Sequence, residues 1–179
     1  MWKRILIPAL AAALQVSPLE AGQIVSGVGP FTFAEDGLDL QLGYLPDQSH
    51  WLYGYRYIRW TTTDKDPFTG RSLTKTTDTM TGPLVNYLFR PQARFGTGYV
   101  GASLLRLSRK ERSLITGEVG TDSTTALFIG GGFMGWVNSF YYNAGIFLAP
   151  GVKLHTSTSV SSEDQSGAFD IQLQVGIRF

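Results

Sequence analysis

Residues 167–179 alternate without a break. Phe169, Ile171, Leu173, Val175, Ile177 and Phe179 fall on one face, and Asp170, Gln172, Gln174, Gly176 and Arg178 on the other. Side chains of an extended chain project to opposite sides with a period of two, so this stretch reads as a strand with one wholly apolar face. It is about twice the length of an average soluble strand. A tilted strand of roughly ten residues crosses the hydrocarbon of a bilayer. Lipid offers no hydrogen bonds to an open sheet edge, so strands that cross it must close into a barrel.

The same pattern recurs upstream. Leu38, Leu40, Leu42 and Tyr44 oppose Asp39, Gln41 and Gly43. Trp51, Tyr53, Tyr55 and Tyr57 oppose Leu52, Gly54, Arg56 and Ile58. Val85, Tyr87 and Phe89 oppose Leu84, Asn86 and Leu88. Tyr99, Leu105 and Leu107 share a face opposite Val100, Ala102, Leu104 and Arg106. Phe140, Tyr142, Ala144, Ile146 and Leu148 oppose Tyr141, Asn143, Gly145 and Phe147. Residues 126–134 are apolar on both faces, which leaves their facing open. Residues 23–33 form the weakest candidate, because Pro30 removes a ladder donor. Counted together these segments make eight strands, and the predicted fold class is all-β: a transmembrane antiparallel up-and-down barrel. Connections near 45–50, 90–95 and 135–138 are short, whereas 61–75, 109–122 and 150–166 are long and only 34–37 is tight on that side. Short turns at one end and longer loops at the other are the layout of bacterial barrels, with the short turns periplasmic. Aromatic residues gather beside the short turns (Trp51, Tyr53, Phe89, Phe95, Tyr99, Trp136, Phe140), and such rings favour the headgroup level.

Residues 1–21 read as a cleaved signal peptide: Lys3 and Arg4 precede an apolar run, and Ala21 precedes Gly22. The expected domain is then residues 22–179, exported through the periplasm to the bacterial outer membrane. A net charge of +1 argues against a nucleic-acid partner. No cysteine and only two histidines, His50 and His155, make a structural metal site unexpected, and no cofactor is implied. Asp64 and Asp66 could share a cation but lack the further oxygens such a site needs, and turn initiation before Pro67 is the better account.

Eight strands enclose a space that side chains fill. The expected interior is a polar network of Asp39, Gln41, Arg56, Asn86, Arg106, Asn143, Asp170, Gln172, Gln174 and Arg178, in which Arg56 and Arg106 offset Asp39 and Asp170. Buried charges need such pairing. Arg109, Lys110 and Arg112, read as lying just past the outer end of the fifth strand, are candidates for contact with lipopolysaccharide phosphates through charge-assisted hydrogen bonds. His155 and Ser157, with Glu163 downstream, have the chemistry of a base beside a nucleophile.

Together, strand number, aromatic girdles and the final Phe179 resemble the small eight-stranded outer-membrane proteins of the OmpX, Ail and OmpA-membrane-domain class. In that class a terminal aromatic is the signal read by the barrel assembly machinery. The resemblance implies a non-enzymatic surface or envelope protein that contacts outer-membrane lipid, lipopolysaccharide and host or environmental ligands through its loops. The H-x-S spacing at His155 and Ser157 resembles the lipid A deacylase barrels, although Thr158 stands where that family carries asparagine. A hydrolase is therefore one alternative reading, and a narrow small-solute channel is another.

Overall fold

The computed structural model describes the backbone of residues 22–29, 37–93, 95–157 and 162–179, and their side chains apart from those of 153–157 and 162–167. The predicted leader, Pro30 and most of the 34–37 turn lie outside the described residues. Among the described residues eight strands appear: β1 (Gly22–Val28), β2 (Leu38–Pro46), β3 (Trp51–Lys65), β4 (Ser72–Leu88), β5 (Thr97–Ser113), β6 (Val119–Val137), β7 (Phe140–Ser157) and β8 (Ser162–Arg178). Each pairs antiparallel with the next, and β8 returns to β1 through Val25↔Arg178 to Val28↔Val175, closing the barrel.

The first two short turns fall where the sequence puts them, at 47–50 and from 89 onward; the third is confined to 138–139, because β6 runs on through Val137. Gln48 (φ 58°) and Asn138 (φ 56°) take left-handed backbone there, a conformation that asparagine tolerates better than most side chains.

The other end departs from expectation. Residues 61–75 and 109–122 are mostly strand: β3 and β4 remain paired to Lys65↔Ser72, and β5 and β6 to Arg112↔Val119. β7 likewise continues to Ser157 and β8 begins at Ser162. Beyond the lipid neither face needs to be apolar, so the apolar alternation stops while the ladder continues. What sustains it is β-branched threonine, stiff at χ1 and suited to the pleat. Thr61 and Thr77 pair across the strands with their hydroxyl oxygens 3.3 Å apart. Asp66 closes the β3–β4 hairpin, its carboxylate accepting the Phe68 N–H at 2.8 Å and the Thr69 N–H at 3.0 Å. The backbone N–H of Thr69, then that of Phe68, holds this exposed carboxyl below its ordinary value of 3.8. A carboxyl depressed in the folded state contributes stability above the unfolded value and loses it as pH falls through the folded value. An NMR titration of Asp66 should therefore give a midpoint below 3.8, with the turn loosening only under that pH.

Facing differs from expectation in β5. Tyr99, Ser103, Leu105, Leu107 and Arg109 point inward, while Val100, Leu104 and Arg106 point outward. Arg106 is therefore on the outer wall and no part of the interior network; it reaches Ser123 Oγ at 3.5 Å. Both faces of this strand are apolar between 104 and 107, so alternation alone has no sign. Pairing with β4 supplies one. Asn86 lies opposite Gly101, and a Cβ on Gly101 would sit 2.0 Å from Asn86 Oδ1. The buried amide thus requires glycine as its inward neighbour, which turns Leu105 in and Arg106 out. β6, left open by its sequence, buries Phe128 and Met134 and presents Leu127, Ile129 and Phe133 outward.

The outer wall keeps large apolar side chains in the open, among them Tyr55, Leu104, Ile129, Leu148 and Leu173, each about half exposed. So extensive an apolar band is untenable in water and calls for a lipid surround. Towards the short turns it meets a ring of aromatics: Trp51 lies edge-on to Tyr87 at 5.0 Å between centroids, Tyr87 edge-on to Phe89 at 6.2 Å, and Tyr142 Oη donates to the carbonyl of Phe95.

Candidate functional site

The lumen is filled in layers. At mid-height Arg56, only 1% exposed, stands between two carboxylates. Its Nε and Nη2 donate to Asp39 at 3.4 and 3.3 Å, its Nη1 donates to Asp170, and Nη2 also reaches the Ile171 carbonyl at 3.4 Å. The planar fork of arginine suits this role, since it presents several fixed donors at once. Gln172 Nε2 donates to Asp170 at 3.2 Å, and Asn143 Nδ2 lies 3.2 Å from both Gln172 Oε1 and Gln174 Oε1. Gln41 Nε2 donates to Tyr141 Oη at 3.4 Å. Asn86 is fully buried beside this layer, yet neither amide atom has a hydrogen-bond partner among the described residues. Arg178 sits lower, at the mouth near the short turns, its guanidinium 4.9 Å from the Trp136 ring centre and donating to Gln23 and the Asn138 carbonyl.

The interior is less polar than the sequence reading supposes. Leu52, Leu88, Phe128, Met134, Tyr141 and Phe147 are wholly buried around the polar layer. Inward positions of β3 to β7 thus carry apolar groups that close the remaining gaps, as the small cross-section of eight strands requires.

The basic stretch after Ser108 divides by period two. Arg109 lies within β5 and not beyond it, and it points inward, a correction to its expected place at a loop base. Its Nε and Nη2 fork onto Asp78 at 2.8 and 3.2 Å. Lys110 and Arg112 point outward and are exposed. Sequence reasoning missed Asp78, Arg59 and the inward Glu111. Alternation puts Arg109 and Glu111 on the face of Leu105 and Leu107, so the same unsigned strand that misplaces Arg106 hides them.

On the outer face of β3 to β6 the register builds a polar band directly above the apolar belt. The row above Leu104 and Leu127 holds Thr81, Arg106 and Thr125; the next holds Arg59, Thr79, Ser108 and Ser123; Lys110 stands beside Thr77, and Arg112 in the row above. No outward position in these rows carries a carboxylate.

His155, Ser157 and Glu163 belong to the β7–β8 hairpin, where His155 pairs with Asp164 and Thr156 with Glu163; their side chains lie outside the described residues. Phe179 has its backbone bonded to Ile24 in both directions, so the final residue extends the closing seam of the barrel.

No protein-family model and no curated protein sequence matches the chain. Solved structures do. The N-terminal β-barrel domain of OprF from Pseudomonas aeruginosa aligns at 16% identity over 88% of this chain and 96% of its own, with a TM-score of 0.52. A major outer membrane protein from Thermus thermophilus aligns at 12% identity over 89% and 99%, with a TM-score of 0.51. Neisserial surface protein A aligns at 14% identity over 88% and 92%, with a TM-score of 0.50. With its closed ring of eight antiparallel strands, the chain has the fold of the small eight-stranded outer-membrane β-barrels.

Proposed function

We propose that the protein is a non-enzymatic, non-conducting envelope barrel of the bacterial outer membrane that engages the phosphates of lipopolysaccharide along the outer wall of β3 to β5. The observation that carries this reading is the one-signed band of Arg59, Arg106, Lys110 and Arg112, set in register over the apolar belt. Six residues separate Arg106 from Arg112, about 20 Å of strand at ~3.4 Å per residue. At a tilt of about 40° that length rises about 15 Å, enough to span a headgroup layer and the charged sugars next to it. Arginine and lysine meet phosphate through charge-assisted hydrogen bonds, and the neighbouring Thr and Ser hydroxyls add neutral donors. The buried Arg56 layer supports the non-conducting part, because its charges are paired to one another and not offered to a passing ion. The hairpins of β3 to β6 rise past this band and are the surface presented to the outside.

The test compares bilayers containing lipopolysaccharide with bilayers of phosphatidylglycerol, which is also anionic. Lipopolysaccharide should raise the temperature at which the barrel loses its heat-resistant gel mobility, and phosphatidylglycerol should raise it less. Changing Arg59, Arg106, Lys110 and Arg112 together to serine should remove the difference and weaken lipopolysaccharide binding at least tenfold, with about 1 kcal/mol or less from each exposed contact. Equal stabilisation by the two lipids, or a quadruple variant that binds as tightly as the parent, overturns the reading.

A further inference from the structure

Among the described residues the lumen above the Arg56 layer is not filled. A cavity of about 240 Å3 remains, walled by Ile58, Trp60, Met80 and Leu107 and edged by Asp78 and Arg109. Ala168 and Asp170 of β8 also line it. Arg109 forks onto Asp78, whereas Asp170 shares Arg56 with Asp39, so the margin carries one more carboxylate than guanidinium. The cavity therefore offers an apolar volume with a carboxylate edge that still has lone pairs to accept a hydrogen bond. At its edge Asp170 belongs to the Arg56 layer.

We infer that this upper lumen is a binding site for a small, non-anionic, mainly apolar molecule of about ten non-hydrogen atoms that carries one N–H or O–H donor. The size follows from volume: an apolar cavity of roughly 150 Å3 stays dry and takes up benzene, so the larger space here admits a two-ring solute. The donor follows from Asp78 and Asp170, whose carboxylates stand at the margin of an otherwise apolar wall. An anionic guest is excluded, because it would enter a desolvated space whose margin already carries one carboxylate in excess. This site lies inside the barrel, apart from the lipid-facing band, and its fate in an experiment is independent of that reading.

The chain has three methionines, and two of them are placed to report. Met80 lines the cavity, whereas Met134 is wholly buried elsewhere in the barrel and does not. With methyl-13C methionine in the full barrel in nanodiscs, titration with indole should move the Met80 resonance saturably and leave that of Met134 in place. Ala168→Leu, which fills the space, should weaken binding at least tenfold while the barrel keeps its heat-resistant mobility. Leu107→Ala enlarges the same space and should admit 2-naphthol, which the parent takes up at least tenfold more weakly. Linear, equal movement of both methyl resonances means partition into lipid and overturns the inference, as does an indole shift that survives Ala168→Leu. Should Ala168→Leu not fold, Leu107→Ala decides: no gain of 2-naphthol binding overturns the inference.

Discussion

Replacing Arg56 with leucine should abolish the heat-resistant form of the barrel, the largest effect expected of any single change in the interior. Arg56 is the cation standing between Asp39 and Asp170, and all three side chains are almost fully excluded from solvent. Removing one member of a buried ion pair typically costs about 3–5 kcal/mol, because the partner's charge stays behind without compensation. Here two carboxylates would be left, both turned into the lumen from strands on either side of β1. That loss is comparable to the whole stability of many domains. The measurement is gel mobility with and without heating, together with the urea midpoint in lipid vesicles. Adding Asp39→Asn and Asp170→Asn to Arg56→Leu should recover much of the folded fraction, since the variant then buries no charge in this layer. An Arg56→Leu barrel as heat-resistant as the parent would show that the interior is hydrated well enough to screen these charges.

Leu173→Arg should be nearly as damaging, and for the opposite reason. Leu173 sits on the outer wall at 49% exposure, midway along the apolar row from Phe169 to Ile177. An arginine on the lipid face near the bilayer midplane costs roughly 2–4 kcal/mol. Its neighbour Gln174 is 3% exposed and faces the lumen, where Asn143 donates to it at 3.2 Å. Gln174→Ala removes one neutral hydrogen bond, worth about 1 kcal/mol. Refolding into vesicles, followed by the fraction that migrates as folded barrel, should fall sharply for Leu173→Arg and slightly for Gln174→Ala. Equal yields from the two variants would mean that inside and outside have been exchanged.

Both predictions rest on β8, the strand whose facing its sequence states most openly. From Phe169 to Arg178 the large apolar residues never exchange sides with the polar ones, so one period-two reading fixes the lipid face and the lumen face together. β3 and β7 are read from Arg56 and Asn143, since Leu52, Ile58, Tyr141 and Phe147 put apolar groups on the lumen side as well. β5 is not legible, because Leu104, Leu105 and Leu107 put apolar groups on both sides, and what decides is the fit of Asn86 against Gly101 across the ladder. That is a contact between strands, which a pattern within one strand does not contain. The expected inward place of Arg106 fails on that ambiguity. The expected place of Arg109 fails on another: a run of charge resembles a loop base, yet alternation continues through it and sends Arg109 to Asp78. The outer ladders are hard to read because threonine, not leucine, sustains them beyond the membrane. The cavity is invisible in sequence, since it is a volume left among four strands and no single one of them encodes it.

The continued pairing of β3 with β4 has one more consequence. Phe68 stands 95% exposed in the tight turn that Asp66 closes, at the summit of a ladder continuous from Trp51↔Tyr87 to Asp64↔Thr74 and bulged only at Lys65. A floppy loop surrenders conformational freedom at every residue when something touches it, about 1–2 kcal/mol for each backbone unit fixed. This turn has lost that freedom already, during folding. Whatever meets the phenylalanine finds it stationed far above the headgroups on a stiff stalk, and little of the energy gained on touching it is consumed in arranging the chain beneath.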